Sequence, residues 1–335
     1  MADYKGIKGF KIQSVSSDPS NLTKGQIWYN STSAVVKGRV IGVGGWSAGG
    51  ALNNSRGWGG AAGTTGTAAM YFGGNENPTP PYSTTLETEQ YNGTSWTEVG
   101  DLNTGRQQIS GLGSQSDAMA VGGQGATAET NSSEHWNGTS WTTTNNLGSE
   151  RRGLGSAGHA TSSAGLIWGG HDTIPASAST KTETYNGTSW TEVNDLSVAA
   201  YGAGGAGTES AALSMGDYGP PSSGTCNRWN GTSWTTDGGT LNSYRALGSQ
   251  HGGTQTSAIY TGGYPPTPAA AITEVYDGTS WTEVADLTTA RYALGGAAAN
   301  STAAVVFGGS DDVSREEVTE EWNVPDASTV TVTAS

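Results

Sequence analysis

Cysteine is nearly absent from this chain of 335 residues, since Cys226 is its single example. An intrachain disulfide is therefore excluded, and folding needs no oxidising compartment. Charged residues make up only 13% of the chain, and the first residues contain no apolar stretch of the kind found in signal peptides. No segment stays apolar over the roughly 18 residues that a membrane span needs. We therefore expect a protein without membrane insertion and without an export signal of its own.

Positive charge is in the minority, because 15 Lys and Arg stand against 29 Asp and Glu, which gives a net charge of −14. Nucleic-acid-binding proteins place Lys and Arg against phosphates, so this balance argues against nucleic acid as a partner. Residues 1–40 hold six basic and two acidic residues, a net of +4, which leaves −18 for residues 41–335. This asymmetry predicts two modules, a basic N-terminal docking segment (1–40) and an acidic main domain (41–335).

The most informative feature that is present is a nine-residue word, YNGTSWTEV, which recurs along the chain. Its opening aromatic residue stands at Tyr91, Trp136, Tyr185, Trp229 and Tyr276, with a weaker copy at Trp322. An apolar run that ends in glycine precedes each copy, and the pattern Leu-x-x-x-Arg follows most of them. Successive copies of the first word are 44 to 49 residues apart. Three words in one phase indicate an internal repeat.

Each repeat is predicted to contain four strands. Asn-Gly or Asp-Gly at the centre of the word is a strong hairpin signal, because a type I′ turn needs positive φ at both central residues. A four-stranded unit repeated at this period is typical of a β-propeller blade. We predict an all-β, six-bladed propeller whose blades begin near residues 56, 106, 151, 200, 245 and 291. The small-residue strand should be innermost and the tryptophan strand outermost, with Trp96, Trp141, Trp190, Trp234 and Trp281 buried between blades.

The closure of the ring is left open by the repeat. Residues 25–45 carry a degenerate copy of the word, but only 28 residues separate Gly45 from Gly73, so a seventh blade remains an alternative. The tail STVTVTAS alternates Val with Thr as a half-buried strand does. We assign this tail to the outer strand of blade six, and a strand from residues 35–45 is the other candidate for closing the ring.

The combined pattern resembles the kelch repeat over about residues 52–335. The features that carry the resemblance are a Gly-Gly that closes strand two, then a Tyr, a Trp five residues on, and an Arg that opens the next unit. Two positions depart from it: Asp217 stands in place of the second Gly, and Ala200 in place of the Arg. The kelch family has the propeller fold and many functions, including protein recognition and a copper oxidase lineage. The resemblance therefore implies a fold and leaves the function open.

The stretch GQIWYNSTS, which begins at Gly25, resembles a segment near the N-termini of fibre and other virion proteins of tailed marine phages. The wording of the repeat is also similar to kelch-like proteins of such phages. This resemblance implies a non-enzymatic virion protein (a fibre, appendage or decoration) on the particle surface or tail. Its N-terminal segment would dock to other virion proteins, and its propeller would contact a host surface receptor or glycan. A cellular kelch-type module that recognises a protein or glycan is the alternative, and residues 1–40 could instead complete the ring with a strand.

Catalytic and metal-binding patterns are missing from the sequence. The histidines, His135, His159, His171 and His251, show no zinc-ligand spacing, and there is no Gly-x-Ser-x-Gly motif or phosphate-binding loop. The acidic run at 308–317 does not have the spacing of an EF-hand. We therefore expect no enzyme, no metal and no cofactor, and we interpret His159 and His251 as neighbours in the innermost strands.

Two sets of residues are candidates for binding. The loops that follow Gly-Gly vary while the rest repeats, and variable loops on a rigid scaffold are where recognition concentrates. On this face the candidate ligand contacts are Tyr82, His171, Tyr218 and Tyr264. The second set is a ring formed by Arg56, Arg106, Arg151, Arg245 and Arg291. These arginines would either form an anion-binding rim or fix each blade to neighbouring carbonyls and acids.

Overall fold

The computed structural model describes residues 12–20, 26–40, 42–77, 83–173, 176–218, 224–264, 268–325 and 328–332. Over these residues the backbone forms strands, turns and bends without any helix, which confirms the all-β prediction. The described part accordingly has no helix long and apolar enough to cross a membrane. The chain divides into two compact units, one made of residues 1–44 and 324–335 and the other of residues 45–323.

The strands are short and follow one another in chain order. The first are β1 (Gln13–Val15), β2 (Ile27–Asn30), β3 (Val35–Val40), β4 (Gly45–Ala48), β5 (Gly60–Thr65), β6 (Ala68–Phe72), β7 (Thr88–Tyr91) and β8 (Trp96–Glu98). They continue as β9 (Ser110–Ser114), β10 (Asp117–Val121), β11 (Ser133–Trp136), β12 (Trp141–Thr143), β13 (Arg151–Arg152), β14 (Gly155–Ser156), β15 (Gly165–Trp168) and β16 (His171–Thr173). Next come β17 (Ala176–Ala178), β18 (Thr182–Tyr185), β19 (Trp190–Glu192), β20 (Gly204–Thr208), β21 (Ala211–Met215), β22 (Asn227–Trp229) and β23 (Trp234–Thr235). The last are β24 (Gly253–Thr254), β25 (Ser257–Thr261), β26 (Thr273–Tyr276), β27 (Trp281–Glu283), β28 (Gly295–Asn300), β29 (Ala303–Phe307), β30 (Thr319–Asn323) and β31 (Ser328–Thr331).

Six antiparallel four-stranded sheets make up the unit of residues 45–323, together with a small sheet of β13, β16 and β17. We call them sheet 1 (β5–β8), sheet 2 (β9–β12), sheet 3 (β14, β15, β18, β19), sheet 4 (β20–β23), sheet 5 (β24–β27) and sheet 6 (β28, β29, β30, β4). Each of the six sheets corresponds to one copy of the sequence repeat. The predicted four strands per repeat are therefore present.

The small residues lie in the first strand of each sheet, as the sequence predicted. First strands of successive sheets contact one another in the order β5, β9, β14, β20, β24 and β28, and β28 contacts β5. The approach is close enough to exclude side chains, because a methyl group built at Gly111 would lie 1.7 Å from the carbonyl oxygen of Ala61. At Gly205 the equivalent distance to the carbonyl oxygen of Ser156 is 1.9 Å. Glycine at these positions lets backbone pack against backbone.

The word YNGTSWTEV forms the hairpin between the third and fourth strands of a sheet. Tyr91 and Trp96 face each other across it, with ring centroids 5.0 Å apart. The turn differs from the type I′ turn expected from the sequence, because positive φ is found at Gly93 and not at Asn92. The Asn92 side chain instead accepts hydrogen bonds from the backbone amides of Thr94 and Ser95, at 2.9 and 3.0 Å. Asparagine is thus required for its side-chain oxygen as much as for its backbone.

The prediction that the five outer-strand tryptophans are mostly buried is confirmed, although only three of them are buried almost completely. Trp96, Trp141 and Trp281 are 5–6% exposed. Trp190 and Trp234 are only partly buried, and they pack against the apolar cluster around Leu166. The outer strand therefore covers the neighbouring sheet throughout, but less completely at sheets 3 and 4.

The outer strand of sheet 6 is β4, and the assignment of the C-terminal tail to that place is wrong. β4 pairs with β30 so that Trp46 lies opposite Trp322, which reproduces the aromatic pair of the other sheets. The tail strand β31 pairs with β3 instead. Alternation of Val and Thr marks a half-buried strand but does not specify its partner.

The other unit contains a sheet in the order β1, β2, β3, β31, in which β1 and β2 are parallel. Trp28 is fully buried and donates its indole N–H to Asp18 at 3.0 Å. Asp18 also accepts hydrogen bonds from Lys37 at 2.7 Å and from Asn30 at 2.8 Å. These donors, Lys37 above all, lower the pKa of Asp18 to about 2.

Candidate functional site

The five arginines of the predicted ring are buried, and each forms an ion pair with a glutamate in the third strand of the sheet that follows it in sequence. The pairs are Arg56 with Glu89 (2.6 Å), Arg106 with Glu134 (2.5 Å), Arg151 with Glu183, Arg245 with Glu274 (2.5 Å) and Arg291 with Glu320 (3.0 Å). Every arginine side chain is 0% exposed and every glutamate at most 3% exposed. The guanidinium groups do not reach a surface where an anion could bind, and their placement fits the alternative in which each arginine fixes its own blade.

The hydrogen bonds of Arg245 illustrate how a buried arginine holds the backbone around it. Its Nε donates to the carbonyl oxygen of Gly262 and its second terminal nitrogen to that of Tyr260, both at 2.9 Å. Its guanidinium carbon lies 5.0 Å from the centre of the Tyr260 ring. Glu274 in turn accepts hydrogen bonds from the backbone and side-chain nitrogens of Asn242, at 2.7 and 2.8 Å. Charged hydrogen bonds of this kind hold the turn that leads into the first strand.

A ring of backbone hydrogen bonds lies two residues beyond each arginine position. We call it the backbone collar, and it consists of Trp58, Gln108, Gly153, Gly202, Leu247 and Ala293, all with φ between 53° and 66°. Each of these residues donates its amide to the carbonyl oxygen of the preceding member: Gln108 to Trp58 (2.6 Å), Gly153 to Gln108 (2.9 Å), Gly202 to Gly153 (2.9 Å), Leu247 to Gly202 (2.8 Å), Ala293 to Leu247 (2.7 Å) and Trp58 to Ala293 (3.0 Å). The six bonds return to their starting residue and position the side chains around them.

A cavity with a largely aromatic lining lies beside the collar. Its volume is about 260 Å³, and we call it the aromatic cavity. It is lined by Trp58, Tyr201, Tyr218, Leu247, Tyr264 and Tyr292. The rings support one another, since the centroid of Tyr292 lies 4.9 Å from that of Tyr264 and 5.9 Å from that of Trp58. Tyr201 and Tyr218 form a second pair at 6.0 Å.

None of the six lining residues carries a formal charge at neutral pH. Burial raises the pKa of Tyr201 to about 12, and desolvation together with the nearby Asp312 raises the pKa of Tyr264. The Tyr201 hydroxyl donates to the side-chain oxygen of Gln108 at 2.6 Å, which fixes its ring. The cavity therefore offers apolar ring faces together with neutral hydroxyl groups. Such amphipathic side chains suit ligands that combine apolar faces with hydroxyl groups.

The loop-face residues predicted from sequence are only partly brought together. Tyr218 and Tyr264 line the aromatic cavity, and Tyr218 is 48% exposed. His171 contacts the lining residue Tyr201, with ring centroids 5.6 Å apart, but it does not itself line the cavity. Tyr82 lies outside the described residues.

Sequence reasoning missed Trp58, Tyr201 and Tyr292. These residues stand one or two positions after the Arg of the third word, or after Ala200 where the Arg is replaced. The signal available in the sequence was the presence of aromatic residues at two adjacent positions where the other repeats have Gly, Gln, Ala, Arg or Leu.

His159 lies in a turn after β14 and His251 just before β24, and each forms a hydrogen bond to the backbone of another sheet. His251 is buried, its Nε2 lies 2.8 Å from the carbonyl oxygen of Gly111, and burial lowers its pKa to about 4. The Nε2 of His159 lies 2.6 Å from the carbonyl oxygen of Ala298. Gln250 donates to the carbonyl oxygen of Gly59 at 2.6 Å. Within the described residues no cluster of His, Cys, Asp and Glu has the arrangement of a metal site.

No protein-family model matches the chain. No curated protein matches its sequence either.

Proposed function

We propose that residues 45–323 form a closed, six-bladed, kelch-like propeller. Three observations support this. The first strands contact one another in a cycle, and the backbone collar returns to its first residue. The outer-strand tryptophan of each sheet also donates its indole N–H to the sheet before it: Trp96 to Thr319, Trp141 to Thr88, Trp190 to Ser133, Trp234 to Thr182, Trp281 to the carbonyl of Gly238 and Trp46 to Thr273.

The function of this propeller, in our proposal, is to recognise an uncharged polyhydroxylated ligand, such as a surface glycan, in the aromatic cavity. The observation that carries the proposal is the lining of neutral Trp and Tyr side chains beside the collar. Rigid aromatic residues bind with a small loss of conformational entropy and supply both ring faces and hydroxyl groups. In this proposal the protein binds the glycan without cleaving or modifying it, so the chain is proposed to be non-enzymatic.

We further propose that the chain is a virion protein of a tailed phage, which docks through its N-terminal segment and presents the cavity to a host surface. The resemblance of GQIWYNSTS to virion proteins and the net charge of +4 in residues 1–40 support this. Basic segments associate with acidic partners faster at low salt, so docking should weaken as salt rises. A cellular glycan- or protein-recognition module remains the second candidate, because an aromatic cavity serves either setting.

Binding can be tested with the full chain on an array of bacterial surface glycans, followed by titration calorimetry with a retained glycan. We expect Tyr264→Ala and Trp58→Ala to weaken the affinity by about tenfold or more, as for aromatic residues at the centre of an interface. Tyr29→Ala is the matched control, because Tyr29 is 36% exposed and belongs to the other unit. Failure of the array to retain the protein, or equal affinity of all three variants, would refute the glycan proposal.

The virion assignment has a separate test. Antibodies raised against residues 45–323 should label purified phage particles from the source of this sequence in immunogold microscopy. Particles that lack the protein, together with its recovery from host cells free of phage, would favour the cellular module.

A further inference from the structure

The fourth repeat departs from the others at three positions that meet in space. Ala200 stands where the other repeats have the buried Arg, and Asn227 stands where they have its Glu partner. Asp217 stands where they have the second Gly of Gly-Gly. Sheet 4 thus lacks both members of the ion pair that the other five sheets contain.

A cavity of about 440 Å³ occupies this place. Ala200, Asp217 and Asn227 all line it, so the three departures open onto one space. Val198, which is 46% exposed, and the exposed Thr240 also line it, and the cavity therefore opens to solvent. It is a different site from the aromatic cavity and shares no lining residue with it.

The backbone oxygens that receive a guanidinium in the other sheets have their counterparts here. In sheet 2, Arg106 donates to the carbonyl oxygens of Gly122 (3.0 Å) and Ala120 (3.2 Å). In sheet 3, Arg151 donates to that of Lys181 (3.1 Å). By the phase of the repeat, the equivalent residues in sheet 4 are Gly216, Ser214 and Thr225, and all three line the cavity. The backbone is also the same at this point, since φ is 62° at Gly122 and 64° at Gly216.

Asp217 adds a carboxylate that the other repeats do not have. One of its carboxylate oxygens, Oδ1, is buried and has no hydrogen-bond partner among the described residues. Burial raises the pKa of Asp217 to about 6, so the group is mainly ionised above neutral pH. The hydroxyl of Tyr244 donates to the backbone oxygen of Asp217 at 2.7 Å, and within the described residues no lysine or arginine forms an ion pair with the Asp217 carboxylate. A carboxylate withdrawn from water is stabilised by a cation that also donates hydrogen bonds.

We propose that this space, the sheet-4 cavity, binds the guanidinium group of a ligand, which takes the place of the missing arginine side chain and pairs with Asp217. A guanidinium is planar and presents five N–H donors in a fixed fork, which matches a carboxylate and several carbonyl oxygens better than a compact ammonium does. The group can come from an arginine side chain of a peptide or from a free guanidino compound.

The test is titration calorimetry of the full chain at pH 8 with four probes. Nα-acetyl-arginine amide and methylguanidinium represent the two sources. Nα-acetyl-citrulline amide has the same shape without the charge, and Nα-acetyl-lysine amide has the charge without the fork. We expect saturable binding of both guanidinium probes and none of the citrulline probe, with the lysine probe weaker. Tighter binding of the arginine probe than of methylguanidinium identifies a peptide side chain as the source, and the reverse order identifies a free compound.

Variants locate the binding. Asp217→Asn removes the charge of the side chain with little change of its shape. It should weaken the affinity for the arginine probe by about tenfold or more, the usual effect of losing a hydrogen bond between charged groups. Ala200→Arg fills the cavity from within and should abolish binding. Asp286→Asn is the matched control, because Asp286 is exposed, follows β27 of sheet 5 and does not line the cavity.

Three results would overturn the proposal: equal binding of the arginine and citrulline probes, unchanged affinity in Asp217→Asn, or the absence of saturable binding in the native chain. A variant counts only if it melts cooperatively with the native circular dichroism spectrum. If Ala200→Arg does not fold, amide chemical shifts of the native chain decide. Shifts induced by the arginine probe at Gly216, Asp217 and Asn227 support the site, and shifts confined to other residues refute it.

Discussion

Replacing Arg245 by Ala should destabilise the protein by about 3–5 kcal/mol, because the change leaves a buried glutamate without its cation. Both members of this pair are 0% exposed and lie 2.5 Å apart. Glu274 would keep the two hydrogen bonds from Asn242, but the carbonyl oxygens of Gly262 and Tyr260 would lose their donor. For a unit of this size such a loss corresponds to a fall in melting temperature of about 6–20 °C.

The complementary change is Glu274→Asn. It should lower the free energy of unfolding by a similar amount, because it leaves the buried Arg245 guanidinium without its carboxylate. The double variant Arg245→Ala, Glu274→Asn reproduces the residues that sheet 4 carries naturally, Ala200 and Asn227. It removes both charges together, so it should cost less than the sum of the two single variants. We expect an interaction energy of about 1–3 kcal/mol between the two positions, the range for residues in direct contact.

Urea unfolding followed by tryptophan fluorescence measures all four proteins of this double-mutant cycle. The pair is buried, so added salt should change the coupling little. Additivity within about 0.5 kcal/mol would refute the coupling, because that is the behaviour of independent sites. Single variants as stable as the native protein would refute the structural role of the arginine altogether.

Three further predictions follow from the packing. Trp281→Ala should lower the free energy of unfolding in urea by about 3–5 kcal/mol, as for other truncations of buried aromatic residues. Trp190→Ala should lower it less, because Trp190 is partly exposed. Equal losses for the two variants would contradict this difference in burial. Burial lowers the pKa of His251 to about 4 from 6.5, so the unfolded state binds a proton that the folded state does not, and stability should fall as pH drops from 6.5 towards 4. His251→Gln should reduce this slope in melting curves, and an unchanged slope would assign the acid sensitivity to other groups. A fragment of residues 45–323 should melt cooperatively, because it retains β4 as the outer strand of sheet 6; an unfolded fragment would show that residues 1–44 or 324–335 are needed for folding.

The strands were predictable from sequence because each repeat packs against its neighbours through the same contacts. Glycine at positions such as Gly111 is required by backbone contact, and the Asn92 side chain is required by its turn. Because the same structural constraint acts in every repeat, the same residues recur in every copy of the nine-residue word. The partner of β31 was not predictable, because a strand's own alternation carries no information about which edge it joins.

The binding features were predictable only in part, for a related reason. Tyr218 and Tyr264 could be placed on the loop face. Trp58 and Tyr292, however, lie at two adjacent repeat positions whose residue types change from repeat to repeat. The burial of the arginines could have been inferred from the glutamate that follows each of them by about thirty residues. That glutamate is absent only where the arginine is absent, at Asn227, so the two positions change together as an ion pair requires.

The backbone collar has a consequence for how binding specificity can diversify. Its hydrogen bonds use amide and carbonyl groups alone, so the six side chains that it carries are not needed to hold it together. Trp, Gln, Gly, Gly, Leu and Ala already occupy these positions, and β-branched residues, which tolerate positive φ poorly, do not occur among them. Residues can therefore be exchanged at Trp58 or Ala293 without loss of a collar hydrogen bond. At Gly202, by contrast, a methyl group would lie 2.2 Å from the Leu247 side chain, so this position cannot change without its neighbour. Trp58 and Leu247 both belong to the collar and line the aromatic cavity, so a library of paired variants at these two positions would sample new ligands while the backbone hydrogen bonds stay the same.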